Sequence, residues 1–296
     1  ALPAEPISAE APLIAGLDPD EITRLDLSVE SDAMDAGAWL DTDREDRLAH
    51  DAISAGAAAV LSTFGEAHLT RSAILSSLSP PTVATGVRVW PAGSLTLTAP
   101  WPGVVETILT GEHPILTLSG ATGTLAIRGG LRSAGAGPSG RTVAAGAVLG
   151  SIESPVWIQC RRPWDARTSD DGGAPDFVRP EYAAGWLARV SDPAVLLGFA
   201  SAVAPSDDGA GLRRRRLQAF AESQEHYYRH PPRIERGWRE HLIGTDGRSY
   251  LDMVNNVAVL GHGHPAVADA VARQWRRLNT NSRFNYASLV ELSERL

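Results

Sequence analysis

No lysine occurs anywhere in the 296 residues, so all 27 basic side chains are arginine. That absence excludes chemistry needing a side-chain amine on this chain, whether a Schiff base to an aldehyde or the tether of a biotinyl or lipoyl carrier. A single cysteine, Cys160, rules out an internal disulfide framework, and no C-x-x-C pair or Cys/His cluster at zinc spacing is present. This usage fits a reducing cytoplasm. Long apolar runs are also missing: no window approaches the roughly 18 residues of a membrane span. The acidic start ALPAEPISAEAPLIAG has neither the charged region nor the apolar core of a signal peptide. Positive charge is in the minority, 27 basic against 35 acidic residues for a net charge of -8, which argues against nucleic acid as a partner. The one basic run, Arg213 to Arg216, follows Asp207 and Asp208 and reads as a solvated linker or helix start.

What is present divides by texture. With 43% hydrophobic and 21% charged residues, a chain of this length is expected to make two or three folded units. Residues 1–82 are acidic and alanine-rich. Within them, Arg44 to Phe64 and Glu66 to Leu78 carry apolar residues near helical spacing, the second run stopping before Pro80-Pro81. Two helices are expected there. From about Thr82 to Cys160, runs of four to seven residues rich in Val, Ile, Leu and Thr are punctuated by glycine and proline, the pattern of a compact all-β unit. An irregular Pro- and Asp-rich stretch and a short helical pattern at YAAGWLARV follow, and residues 201–212 have linker composition.

Beyond the linker, RRRRLQAFAESQEHYYRH is a helix candidate ended by Pro231-Pro232. The next segment alternates around Asp246-Gly247, a dipeptide suited to a tight turn between strands. His264-Pro265 opens a helix with Val267, Ala270, Val271, Gln274 and Leu278 on one face, and SLVELSERL begins another. The fold class expected is α+β and multidomain. It comprises a helical or linker region over 1–82, a small all-β, barrel-sandwich-like domain over 83–200, a linker over 201–212, and a β-meander with its first helices over 213–296.

The chemistry-bearing stretch is Arg248 to Phe284, RSYLDMVNNVAVLGHGHPAVADAVARQWRRLNTNSRF. Its order of Y-L-D, N-N-V, G-H-G-H-P, a helix and L-N-T-N-S-R-F resembles the N-terminal segment of class III pyridoxal-phosphate aminotransferases. The detail is nearest the branch holding the ethanolamine-phosphate and phosphohydroxylysine phospho-lyases. The resemblance implies a PLP-transferase fold, a small amino compound as substrate, and a homodimer with shared active sites. It also implies either amino transfer or elimination of phosphate from a phosphorylated amino alcohol. Val259-Leu260 stands where that branch usually has His-Val, which leaves the substrate open.

By the same resemblance, the loop of Asn255, Asn256 and Val257 lies close to cofactor and substrate. The bland alternative is that the asparagines satisfy loop backbone groups, as Asn does in turns. Arg283 suits a substrate phosphate through its guanidinium fork; the alternative, which weighs more, is an ordinary surface or interface ion pair. His262 and His264 are two residues apart, but no further ligand follows at metal spacing, so a helix cap or a packed histidine is expected instead. The family's reaction needs a Schiff-base lysine and an acidic partner for the pyridinium nitrogen. With no lysine present, the chain is expected to be a fragment, inactive alone, whose catalytic groups lie downstream.

The β region resembles a worn copy of lysostaphin-type zinc metallopeptidase domains, which precede the aminotransferase in a multidomain subset of this family. TAPWPGVVETI resembles the early strand pair, TVAAGAVLGSI the following turn, and SPVWIQC the strand that carries zinc-binding histidine. In that register Pro155 and Trp157 replace both histidines, and His113 is the only histidine between Thr82 and Cys160. Zinc hydrolysis needs about three protein ligands with an open position, so neither zinc nor peptidase activity is expected. The alternative to an enzyme is a non-catalytic structural or interaction module.

Overall fold

The computed structural model describes residues 7–72, 79–110, 113–133, 140–163, 174–200, 209–221, 228, 230–254, 259–279 and 286–296. Its centre is a ten-stranded sheet to which the N-terminal region contributes two strands. In chain order the elements are β1 (Ile22–Arg24), α1 (Arg44–Ser54), β2 (Ala59–Leu61), β3 (Val83–Ala84), β4 (Val87–Pro91), β5 (Leu95–Thr98), β6 (Gly103–Thr110), β7 (His113–Gly120), β8 (Gly123–Ser133), β9 (Arg141–Val143) and β10 (Val148–Arg161). After these come β11 (Phe177–Val178), α2 (Pro180–Leu187), β12 (Val190–Ser191), α3 (Gly209–Ala219), β13 (Ile234–Trp238), β14 (His241–Gly244), β15 (Ser249–Leu251), α4 (Pro265–Trp275) and α5 (Ala287–Arg295). None of the helices among the described residues is long and apolar enough to cross a membrane.

The sheet runs β1-β2-β4-β10-β8-β7-β6-β9, with β5 and β12 also paired to β10. Apart from the parallel pair β1–β2, its ladders are antiparallel. The sequence shows β10 as two apolar runs, yet it is one bent strand. Its first half pairs with β5 and its second half with β4, and the register against β8 shifts between Ile152 and Val156. Pro155 sits in that bulge, the place where a strand tolerates proline. Opposite, β8 brings Gly129-Gly130 against the bulge. A Cβ on Gly129 would lie 2.7 Å from the Pro155 carbonyl oxygen, and Gly129 also has φ +112°. Side chains there would push the bulge away.

The N-terminal region departs from the expected pair of helices. Arg44–Ser54 is helical, but Ala59–Leu61 is strand β2, and Leu69–Arg71 is a single 3-10 turn, with 73–78 outside the described residues. Gly56 makes the break. At φ +112° it lets its own N–H reach the Ile53 carbonyl at 2.9 Å while the Ala57 N–H reaches Ala52 at 3.1 Å, the paired bonds of a Schellman ending. Replacing Gly56 with alanine meets no neighbouring atom but forces a side chain into left-handed backbone. A loss of about 1 kcal/mol is expected in urea unfolding; an unchanged midpoint would show that the turn relaxes freely.

Two apolar cores explain why β2 is buried throughout. Ala59 and Leu61 join the large core of the sheet with Leu97, Trp101, Leu118 and Ile127, whereas Val60 faces a second core with Leu27, Met34, Trp39, Ala49 and Trp90. A strand covered on both faces loses the alternation that marks strands in sequence, and this alanine-rich run therefore read as helix. Residues expected to be linker instead supply part of both cores.

The three strands β13–β14–β15 form an antiparallel meander, with the second turn at Asp246-Gly247 as the dipeptide indicated. Gly247 has φ +76°, and Asp246 Oδ1 accepts the Arg248 N–H at 3.0 Å. The meander lies on the N-terminal region. Ile243 is fully buried in the second core, and Arg236 donates to the Val29 carbonyl (2.8 Å), the Ser31 carbonyl (2.7 Å) and Asp35 (2.6 Å). At the turn, Ser72 and Thr82 hydroxyls donate to the Gly247 and Asp246 carbonyls at 2.6 and 2.7 Å.

Candidate functional site

Two places carry concentrated chemistry, and the first is the loop between β15 and α4. Asn255, Asn256, Val257 and Arg283 lie outside the described residues. The base of the loop is described. Asp252 Oδ2 and His262 Nε2 are 2.9 Å apart, and His262 exchanges both backbone hydrogen bonds with Arg239 at 2.9 and 2.7 Å. The hydrogen bond from His262 holds the Asp252 carboxyl below its usual range. Gly261 and Gly263, both at positive φ, flank this histidine, and a Cβ on Gly261 would press on the Arg239 backbone. The G-H-G spacing thus lets one strand-like residue pin the loop to the β13–β14 turn.

His264 occupies the N-cap of α4, with Pro265 at the first helical position, but its side chain makes no capping hydrogen bond. The apolar face read from the sequence is real but uncovered: Val267 and Val271 are each 45% exposed and Leu278 42%. No residue of α4 or α5 is buried.

The second place, a cleft of about 1050 Å³, was not visible in the sequence. Its floor is a row across four neighbouring strands. Register places Arg88 of β4 beside Trp157 of β10, Trp157 beside Arg128 of β8, and Arg128 beside Ile115 of β7. Every second residue of a strand faces the same side, so these partners share one face. One wall is α1, through Glu45, Asp46 and His50, and the other is Arg71 with Asp176-Phe177. Both Pro155 and Trp157 line the cleft. Among the described residues no group of three His, Cys, Asp or Glu side chains could hold a metal.

The carboxylates here already have partners. Asp46 accepts from Arg88 at 2.9 Å and from the Trp90 indole at 2.6 Å, Asp176 pairs with Arg128, and Glu153 pairs with Arg132 at 2.8 Å. Glu45 meets His68 at 3.2 Å and accepts from the Thr70 hydroxyl. Burial pushes the Glu45 carboxyl up, but the hydrogen bond and charge of His68, with help from Thr70 and Arg88, outweigh it and hold it at about 2. Behind it, burial pushes Glu66 up to about 8 despite the Leu27 N–H it accepts. Burial also raises Asp176, with Arg128 and Arg71 opposing.

Arg71, Arg88 and Arg128 come from a 3-10 turn and two separate strands, and no motif links them in sequence.

No family model matches the chain. An 82-residue stretch is 38% identical to an alanine–glyoxylate aminotransferase 2-like protein of Drosophila melanogaster, covering 27% of this chain and 17% of that protein. A 66-residue stretch is 47% identical to an acetylornithine aminotransferase of Streptomyces coelicolor, covering 21% of this chain and 16% of the relative. An 85-residue stretch is 28% identical to the ethanolamine-phosphate phospho-lyase homolog 1 of Caenorhabditis elegans, covering 29% and 18%. The chain therefore spans under a fifth of the length of each of these three relatives. Over that part of its length, it is similar to aminotransferases and to a phospho-lyase homolog.

Proposed function

We propose that residues 213–296 are the leading segment of a pyridoxal-phosphate-dependent enzyme of the class III aminotransferase kind, acting in the cytoplasm as a homodimer on a small amino compound. The reaction is amino transfer or loss of phosphate from a phosphorylated amino alcohol. In this reading Asn255, Asn256 and Val257 line the cofactor and substrate site, and Arg283 meets a phosphate. The observation that carries it is the Asp252–His262 pair, 2.9 Å apart, which joins the two sides of a stretch whose motifs resemble those of that family in order. The partial similarity to two aminotransferases and a phospho-lyase homolog supports the same assignment.

The residues present do not suffice for pyridoxal phosphate, because the sequence has no lysine to supply the amine. Adding pyridoxal phosphate to the purified chain should leave the cofactor's absorbance spectrum unchanged. A new long-wavelength band, or turnover of an amino donor, would overturn the proposal that the chain alone is inactive.

A second reading concerns the β region, which we propose is a non-catalytic module derived from a zinc metallopeptidase. It is favoured by Pro155 and Trp157, which line the cleft and which, in the register of that resemblance, stand where metallopeptidase domains of this kind carry histidine.

A further inference from the structure

We propose that the cleft between α1 and the sheet binds a small organic anion, a phosphate monoester or a carboxylate, through Arg71, Arg88 and Arg128. The argument is one of unmet hydrogen-bonding capacity. Each carboxylate in the lining is already engaged by donors of the protein itself: Asp46 by Arg88 and Trp90, Asp176 by Arg128, Glu153 by Arg132, and Glu45 by His68 and Thr70. The guanidiniums are not used up in this way. Each has five N–H donors in a fixed fork and no acceptor. Arg128 spends one nitrogen on Asp176, and Arg88 makes one close contact to Asp46 with Glu45 at 3.8 Å. The Arg71 guanidinium lies over the Phe177 ring at 4.0 Å, and its charge also acts on Asp176.

Each lining carboxylate has a donor of the protein, whereas the guanidiniums keep N–H groups unmet, the buried Arg128 Nε among them, which favours a ligand rich in acceptors. Phosphate and carboxylate oxygens match the guanidinium fork. The aromatic neighbours sharpen the choice. Phe177 sits 5.1 Å from Trp157 and beneath Arg71, so the cation is held over a ring and its planar N–H edge remains for a ligand. The cleft is also far larger than a bare ion requires, at about 1050 Å³ against the roughly 300–1,000 Å³ of sites for small organic ligands. An anionic head on an apolar or aromatic body therefore fits it better than inorganic phosphate. This inference is independent of the pyridoxal-phosphate reading, because none of the residues it uses lies in 213–296.

The test compares three probes that share one ring: phenyl phosphate, benzoate and benzylamine. Each is titrated into the whole chain by calorimetry at low salt. One or both anions should bind, with affinity falling as salt is added, while benzylamine should not. Preference for phenyl phosphate would identify a phosphate ester as the natural class, and preference for benzoate a carboxylate. Arg71→Gln removes an exposed cation outside both apolar cores, so its circular dichroism should match the parent while anion binding weakens by about tenfold. Arg128→Gln should weaken binding further. The inference is overturned if benzylamine binds more tightly than either anion, if neither anion binds at up to roughly 10 mM, or if folded Arg71→Gln binds as the parent does.

Discussion

Truncating Ile243 to alanine will destabilise the protein by about 2–5 kcal/mol, the cost of an emptied, fully buried aliphatic site. The effect should be felt more than 180 residues away, because Ile243 completes the core built by Leu25, Leu27, Val29, Met34 and Trp39. Arg236→Ala should act on the same contact by another route. It strips donors from the Val29 and Ser31 carbonyls, and an unpaired buried carbonyl costs about 1–3 kcal/mol. Since both side chains hold the same pair of strands, the double variant should lose less than the sum of the singles. Urea unfolding gives the magnitudes, and amide exchange at Leu25, Leu27 and Leu69 gives the location. If Ile243→Ala leaves exchange at those amides unchanged, the meander is not what closes this core.

The second large effect is on pH dependence. Glu66 carries a carboxyl raised from 4.5 to about 8 by burial, so the folded chain holds a proton there that the unfolded chain releases. Its contribution to stability is complete below about pH 4.5 and is lost as pH rises toward 8. Glu66→Gln keeps an oxygen for the Leu27 N–H and removes that dependence. The variant should be the more stable form at pH 8, by something on the order of 3 kcal/mol, with the advantage vanishing near pH 4.5. Glu45 has the opposite sign. Held at about 2, it contributes stability above its unfolded value of 4.5 that is lost as pH falls toward 2. The two carboxyls beside His68 therefore favour stability near pH 4.5, between the acid loss of one and the alkaline loss of the other. Thermal unfolding from pH 4 to pH 9 would sink this account if parent and Glu66→Gln ran parallel throughout.

Much of the strand content was legible. From Val87 to Arg161 the short β-branched runs broken by glycine and proline correspond to β4 through β10, and the Asp246-Gly247 turn and the Pro265 helix start stand where their dipeptides put them. The N-terminal region was misread for a physical reason. A strand with both faces buried, as in Ala59–Leu61, has no alternation to show, and the preceding helix ends on a glycine that composition alone does not mark as decisive. The motif loop was recognisable, yet the Asp252–His262 pair beneath it was not, because its meaning depends on a turn that brings residues ten apart together. Long-range register hid the cleft altogether: Arg88, Trp157 and Arg128 share a row only once β4, β10 and β8 are paired.

The arginine clamp also fixes an order of events. Arg236 and Ile243 seal a core whose other buried members lie before residue 91, so during synthesis the N-terminal region leaves the ribosome with an open apolar wall. Well over a hundred residues must follow before the meander can cover it. A contact of such sequence separation forms late and slowly. In the interval Leu27, Met34 and Trp39 are exposed to other chains, which makes this unsealed wall the first place to look for chaperone dependence or aggregation during expression.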